Sequence, residues 1–162
     1  MIRASFIRTL VVILCLIGIT TLGIAQSETQ SDTYAEEYEL YEKAAAAEGA
    51  EQKALILEFV QKYESSQLDP NISYLYVNQL KSLEQAQRWQ ELAEAAEAYL
   101  RHRPADSNVA ALGTEAYQKL GQPEKLVAFG SRLYQSSPSA ATAYLVAKAY
   151  QSMGDMLPTT RK

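Results

Sequence analysis

Apolar residues recur along this chain at intervals of three and four, and no stretch alternates apolar and polar in the manner of a strand. The spacing predicts seven helices and an all-α fold. The first runs from Tyr34 to Glu48, opened by a Thr33–Glu36 capping box and stopped by Gly49, with Tyr34, Tyr38, Tyr41 and Ala45 on one face. The second spans Glu51 to Glu64 and turns Leu55, Ile56, Phe59, Val60 and Tyr63 inward. Asp69-Pro70 opens the third, whose apolar face is Ile72, Leu75, Tyr76, Gln79, Leu80 and Leu83. The fourth, Trp89 to Arg101, buries Trp89, Leu92, Ala93, Ala96, Tyr99 and Leu100. A fifth follows Asp106 and reaches Leu120. A sixth starts at Pro123 and carries Leu126, Phe129, Gly130 and Leu133. The seventh runs from Ser137-Pro138 to Met153. Short loops make neighbours antiparallel.

The chain also repeats itself. "AYQKLGQPEK" begins at Ala116 and "AYQSMGDMLP" at Ala149, so Tyr117 and Gly121 recur as Tyr150 and Gly154, while Pro104 recurs as Pro138. A period of 33–34 residues with two helices per period is the mark of a solenoid. Tyr117, Gly121 and Pro138 match the tyrosine, glycine and closing proline of the tetratricopeptide repeat at that family's spacing, and the chain resembles the family from Tyr34 to Met153. The match is partial. Leu112-Gly113 falls one residue early, Gln87 takes the place of Gly121 in the preceding unit, and Leu83 that of Tyr117. The first unit, Tyr34 to Ser66, keeps only Gly49, Ala54 and the helical spacing. The resemblance implies a right-handed solenoid of helical hairpins; the alternative is a helical bundle without repeats.

The N-terminus reads differently. Arg3 and Arg8 precede an apolar run from Leu10 to Ile19, and Gly23-Ile24-Ala25 supplies small residues where a signal peptidase reads them. Residues 1–25 are expected to be a secretory signal and 26–33 a flexible polar leader. The repeat domain then occupies 34–153 and a polar tail 154–162. An uncleaved membrane anchor is the alternative for the first segment, although Leu10 to Ala25 is shorter than the ~20 residues a spanning helix needs. The protein is expected in the periplasm or outside the cell, or, on the alternative, held in the inner membrane.

Removal of the signal takes two of the 15 basic residues, none of the 19 acidic ones, and the only cysteine. The acidic remainder argues against a nucleic-acid partner and against anionic lipid, both of which need clustered positive charge. Without cysteine the core depends on packing. His102, the one histidine, lies in "RHRP", where Arg101, His102 and Arg103 follow the fourth helix as cations at the negative end of its dipole. Neither a metal-ligand cluster, a nucleophile paired with a base, nor a phosphate-cradling glycine loop is present in the sequence. No catalytic residue, metal or cofactor is expected, and an enzyme built on carboxylates alone is the rival class. Glu39–Lys43, Glu58–Lys62, Glu84–Arg88 and Glu97–Arg101 have the spacing of helix-surface ion pairs. Asn71-Ile72-Ser73 is a glycosylation sequon.

Most of the 11 tyrosines fall on packing faces; Tyr74 and Tyr144 point away from them. In tetratricopeptide arrays the first helix of each unit lines a concave groove for an extended peptide or partner helix. Carried over, the groove-lining residues are Tyr74, Val77, Lys81 and Gln85 on the third helix, then Asn108, Ala111, Glu115 and Lys119 on the fifth. Tyr144, Lys148 and Gln151 belong to the seventh. The resemblance thus implies a protein-binding scaffold with a protein or peptide partner. The seventh helix has no evident covering helix, and Ala143, Val146, Ala147, Tyr150 and Met153 form a face that a second copy or a partner could cover, giving a homodimer in the first case.

The signal reading predicts Gln26, or its cyclised form, as the N-terminus of protein exported by a matched host, measured by intact mass. Full-length chain recovered in the membrane fraction would favour the anchor instead.

Overall fold

A computed structural model describes residues 33–156. The expected signal, all but the last residue of the leader, and the tail beyond Met156 lie outside the described residues. The chain divides into two compact units after Glu39. Residues 33–46 form α1. Its first seven residues belong to the first unit, where the rings of Tyr34 and Tyr38 stack with centroids 6.3 Å apart.

The second unit is all-α. After the rest of α1 come α2 (Gly49–Lys62), α3 (Asp69–Gln85), α4 (Trp89–Leu100), α5 (Ser107–Lys119), α6 (Pro123–Ser136) and α7 (Ala140–Met156). Consecutive helices from α2 onward pack as adjacent hairpins, closest between α4 and α5 and between α6 and α7. Helices two apart also touch: α2 with α4, α3 with α5, α5 with α7.

Local chemistry sets the ends. The Asp106 carboxylate accepts the N–H groups of Asn108 and Val109, each at 3.1 Å, and so caps α5. Proline stands in the first turn of α3 and of α6, where its missing N–H costs nothing. Ser139 and Thr142 exchange backbone-to-hydroxyl bonds at 3.0 and 3.1 Å ahead of α7. α5 closes on Gly121 at φ +64°, a left-handed conformation that glycine takes without penalty. At the same place after α3 stands Gln87, at φ +56°.

The core follows the expected apolar stripes in α2, α3, α4 and α6 and continues through α5. Ile56, Phe59, Ile72, Tyr76, Leu92, Tyr99, Val109, Leu126 and Phe129 are all fully or almost fully buried. Tyr76 and Tyr99 stack with centroids 4.7 Å apart, and the Tyr76 hydroxyl donates to the Ala95 carbonyl at 2.9 Å. Small residues let α4, α5 and α6 approach. A Cβ on Gly113 would lie 2.8 Å from Phe129 Cζ, too close for real atoms, and 3.0 Å from Ala96 Cβ, a tight contact.

One polar joint ties the loops. The Arg103 guanidinium donates to the Val60 and Tyr63 carbonyls at the end of α2 and to Asp69 at the start of α3. The joint spans one period: Pro70, Pro104 and Pro138 are 34 residues apart, and Asp69 and Arg103 precede the first two.

Several expectations shift. α1 turns Leu40, Tyr41 and Ala44 inward, not Tyr34, Tyr38 and Ala45, so its phase is one residue off; Tyr34 and Tyr38 are 45% and 43% exposed. α7 starts two residues after Pro138 and runs through Gly154, which therefore does not repeat the turn at Gly121. Its packed side is Thr142, Leu145, Val146 and Ala149; Ala143, Ala147 and Tyr150 are exposed. Their counterparts 33 residues earlier, Ala110, Thr114 and Tyr117, are buried, the last against Phe129 with ring centroids 5.5 Å apart. Two helix-surface pairs also differ. Arg88 forks onto Glu91 in place of Glu84, and Glu97 takes Arg132 of α6 and the Tyr117 hydroxyl in place of Arg101. Arg103 serves the end of α2 and not that of its own helix, because the α4–α5 loop folds back over it.

A left-handed non-glycine residue is strained by ~1 kcal/mol, so Gln87→Gly is expected to stabilise the fold by roughly 0.5–1 kcal/mol. Gly121→Ala should destabilise it by ~1 kcal/mol, since open space around Gly121 leaves the backbone as the only cost. Thermal melts followed by circular dichroism check both signs.

Candidate functional site

α3, α5 and α7 lie side by side, and the repeat period sets their residues in rows. A step of 34 takes α3 to α5, as Gln87 and Gly121 establish; a step of 33 takes α5 to α7, as the paired Ala-Tyr-Gln sequences establish. Tyr74 thereby aligns with Asn108 and Ala141. Val77 aligns with Ala111 and Tyr144, Lys81 with Glu115 and Lys148, and Gln85 with Lys119 and Ser152. Of the expected groove residues, Tyr74, Lys81, Gln85, Asn108, Ala111, Lys119, Tyr144 and Gln151 are exposed, and Val77, Glu115 and Lys148 are partly buried. Of the tyrosines of these helices, Tyr76 and Tyr117 are buried and Tyr150 is 53% exposed; Tyr74 and Tyr144 are the most exposed, at 66% and 67%. Two-thirds of each ring faces water with no compensating burial.

Ten of the eleven residues share these rows; Gln151 sits one position before Ser152. Lys119 is drawn to one edge, its ammonium 5.8 Å from the centre of the Trp89 ring on α4. The rows grade from apolar to charged along the helices. Tyr74, Val77, Ala111 and Tyr144 lie toward the N-terminal ends, and Lys81, Glu115, Lys148 and Lys119 toward the C-terminal ends.

Besides a cleft of about 390 Å³ at Asp69, Tyr99 and Arg103, two more lie elsewhere among the described residues. One of about 400 Å³ opens between α4 and α6, floored by Leu100, Phe129 and Leu133 and edged by Glu97, Arg101 and Arg132. Its carboxylate is engaged, since Glu97 accepts from Arg132 at 2.6 Å and from Tyr117. The other, about 580 Å³, lies where Gln79 donates to the Gly49 carbonyl and to the Gln52 side chain, with Arg88 and Glu91 at its border. Both are lined by residues already bonded to one another, which suits packing seams.

The buried hydroxyls are not acids in waiting. Burial pushes Tyr76 and Tyr99 well above the ordinary phenol range. Burial, then the hydrogen bond to Glu97, does the same for Tyr117. All three remain neutral donors at physiological pH. Among the described residues no three His, Cys, Asp or Glu side chains converge as a metal site would require, and no helix is long and apolar enough to cross a membrane.

The sequence places Arg103 at the end of α4 and misses its bonds to the end of α2 and the start of α3. Their signal was available in the 34-residue interval joining Asp69-Pro70 to Arg103-Pro104, two opposite charges at one place in successive units. Comparison with protein-family models, with curated proteins and with solved structures finds no match to this chain.

Replacing Tyr74 and Tyr144 by Ala is expected to change stability by no more than about 0.5 kcal/mol, because neither ring is packed. The control, Tyr76→Ala, should cost ~3–5 kcal/mol through its cavity and the lost bond to Ala95. Denaturant melts of the three variants measure the contrast.

Proposed function

We propose that this chain is an exported, tetratricopeptide-like module that binds another protein without catalysing a reaction. In this reading its helical hairpins wind as a right-handed solenoid. α3, α5 and α7 line the concave side, and an extended peptide or a partner helix lies across them. Four features support the repeat reading: the 33–34-residue period, the left-handed closures at Gln87 and Gly121, the contacts between helices two apart, and Phe129 seated against α5.

The observation that carries the binding reading is the pair Tyr74 and Tyr144. Aromatic rings two-thirds exposed to water, on the first and last of three neighbouring helices, are costly in solvent and are favoured anchors in interfaces. The protein then works as a scaffold or assembly factor of the cell envelope.

The test is capture from envelope extract on immobilised mature chain, beside the Tyr74→Ala/Tyr144→Ala variant at matched folding by circular dichroism. Proteins retained by the parent and lost from the variant support the groove. Equal retention by both overturns it.

A further inference from the structure

Charge is not spread evenly over this molecule. From residue 33 to residue 156 the chain carries 11 basic and 17 acidic side chains; the eleven groove positions hold three lysines and one glutamate, leaving eight basic against sixteen acidic elsewhere. In an acidic chain these eleven positions are therefore net positive, with Asp69, Glu84 and Asp155 of the same helices lying outside them. The charges are placed as well as counted: Lys81, Glu115 and Lys148 form one row, with cations on the outer helices and the carboxylate between them. The apolar row of Val77, Ala111 and Tyr144 runs parallel to it, one helical turn nearer the N-terminal ends, with Tyr74 beyond.

Resting on the groove reading above, we infer that the partner is an extended segment with apolar side chains along one edge and two carboxylates along the other. Its spacing follows from dimensions. Neighbouring helices lie ~10 Å apart, so Lys81 and Lys148 stand about 20 Å apart across α5. An extended chain rises ~3.3 Å per residue and sends alternate side chains to opposite sides. Two carboxylates on one edge, about six residues apart, therefore reach both lysines. The intervening side chains of that edge face Glu115 and are uncharged or basic. The opposite edge, three or four apolar residues at alternate positions, meets Tyr74, Val77, Ala111 and Tyr144. Like charges at Lys81 and Lys148 reject a segment with lysines at those two places.

Three fluorescein-labelled decapeptides serve as probes. Each has Leu at positions 3, 5 and 7, Ser elsewhere, and either Glu, Gln or Lys at positions 2 and 8. Fluorescence anisotropy with the mature chain is expected to give the order Glu, Gln, Lys, with Glu over Gln by roughly fivefold at ~0.05 M salt and the gap closing at ~0.5 M. Lys81→Glu with Lys148→Glu should reverse that order while Tyr74→Ala with Tyr144→Ala weakens all three alike. If the tyrosine change weakens binding and the lysine reversal leaves the order intact, the groove stands and the charge assignment fails. If neither change has an effect, or no peptide binds, the groove reading fails with it. Preference for the Lys peptide by the parent chain also overturns the assignment.

Discussion

The close seat of Phe129 on Gly113 is the constraint on which the rest of the described chain depends. The ring occupies the volume that any side chain at position 113 would need, with Ala96 of α4 on its other side. α4, α5 and α6 are thereby locked at one junction by two small residues and one large one. Packing energy falls steeply with a gap of even half an ångström, so this contact fixes helix separation as well as stabilising it. Tyr117 then lies against the same Phe129, and its hydroxyl reaches Glu97, which also holds Arg132. What faces outward on α5, including Ala111 and Glu115, is settled by the same rotation of the helix that buries Gly113 and Tyr117.

Most of this architecture is legible in the chain. The apolar stripes of α2, α3, α4 and α6 name most of the buried residues directly, because in each helix the side chains three and four apart must share one environment. α1 and α7 are read less well for a common reason. At the ends of the array aromatic and small residues no longer report which side is covered. Tyr34 and Tyr38 stack on each other, and Tyr150 has no counterpart of Phe129 among the described residues. Periodicity finds the helix but not its phase where none of the described residues covers the face. Gly154 misleads similarly: its residue type matches Gly121, yet the left-handed turn needs a following helix to return, and α7 continues instead.

The candidate site divides along the same line. That Tyr74 is exposed could be read from position alone, since it falls opposite a strong apolar stripe; Tyr144 is exposed as read, although the stripe of α7 is not the one expected. The rows joining α3, α5 and α7 follow from the 34- and 33-residue steps in the sequence, whereas the partial burial of Val77, Glu115 and Lys148 needed the structure. Arg103 needed it too. A guanidinium reaching the ends of a helix forty residues earlier leaves no local pattern, and only the loop that folds back makes the contact.

The central claim is that the face of α3, α5 and α7 meets a partner while the opposite helices do not. Site-specific photocrosslinking in the native envelope tests it most directly, with the photoreactive residue at Ala111 on α5 or at Ala128 on α6, both exposed. The account predicts a discrete adduct from position 111 and none from position 128. An adduct from position 128 alone, or equally from both, would contradict it.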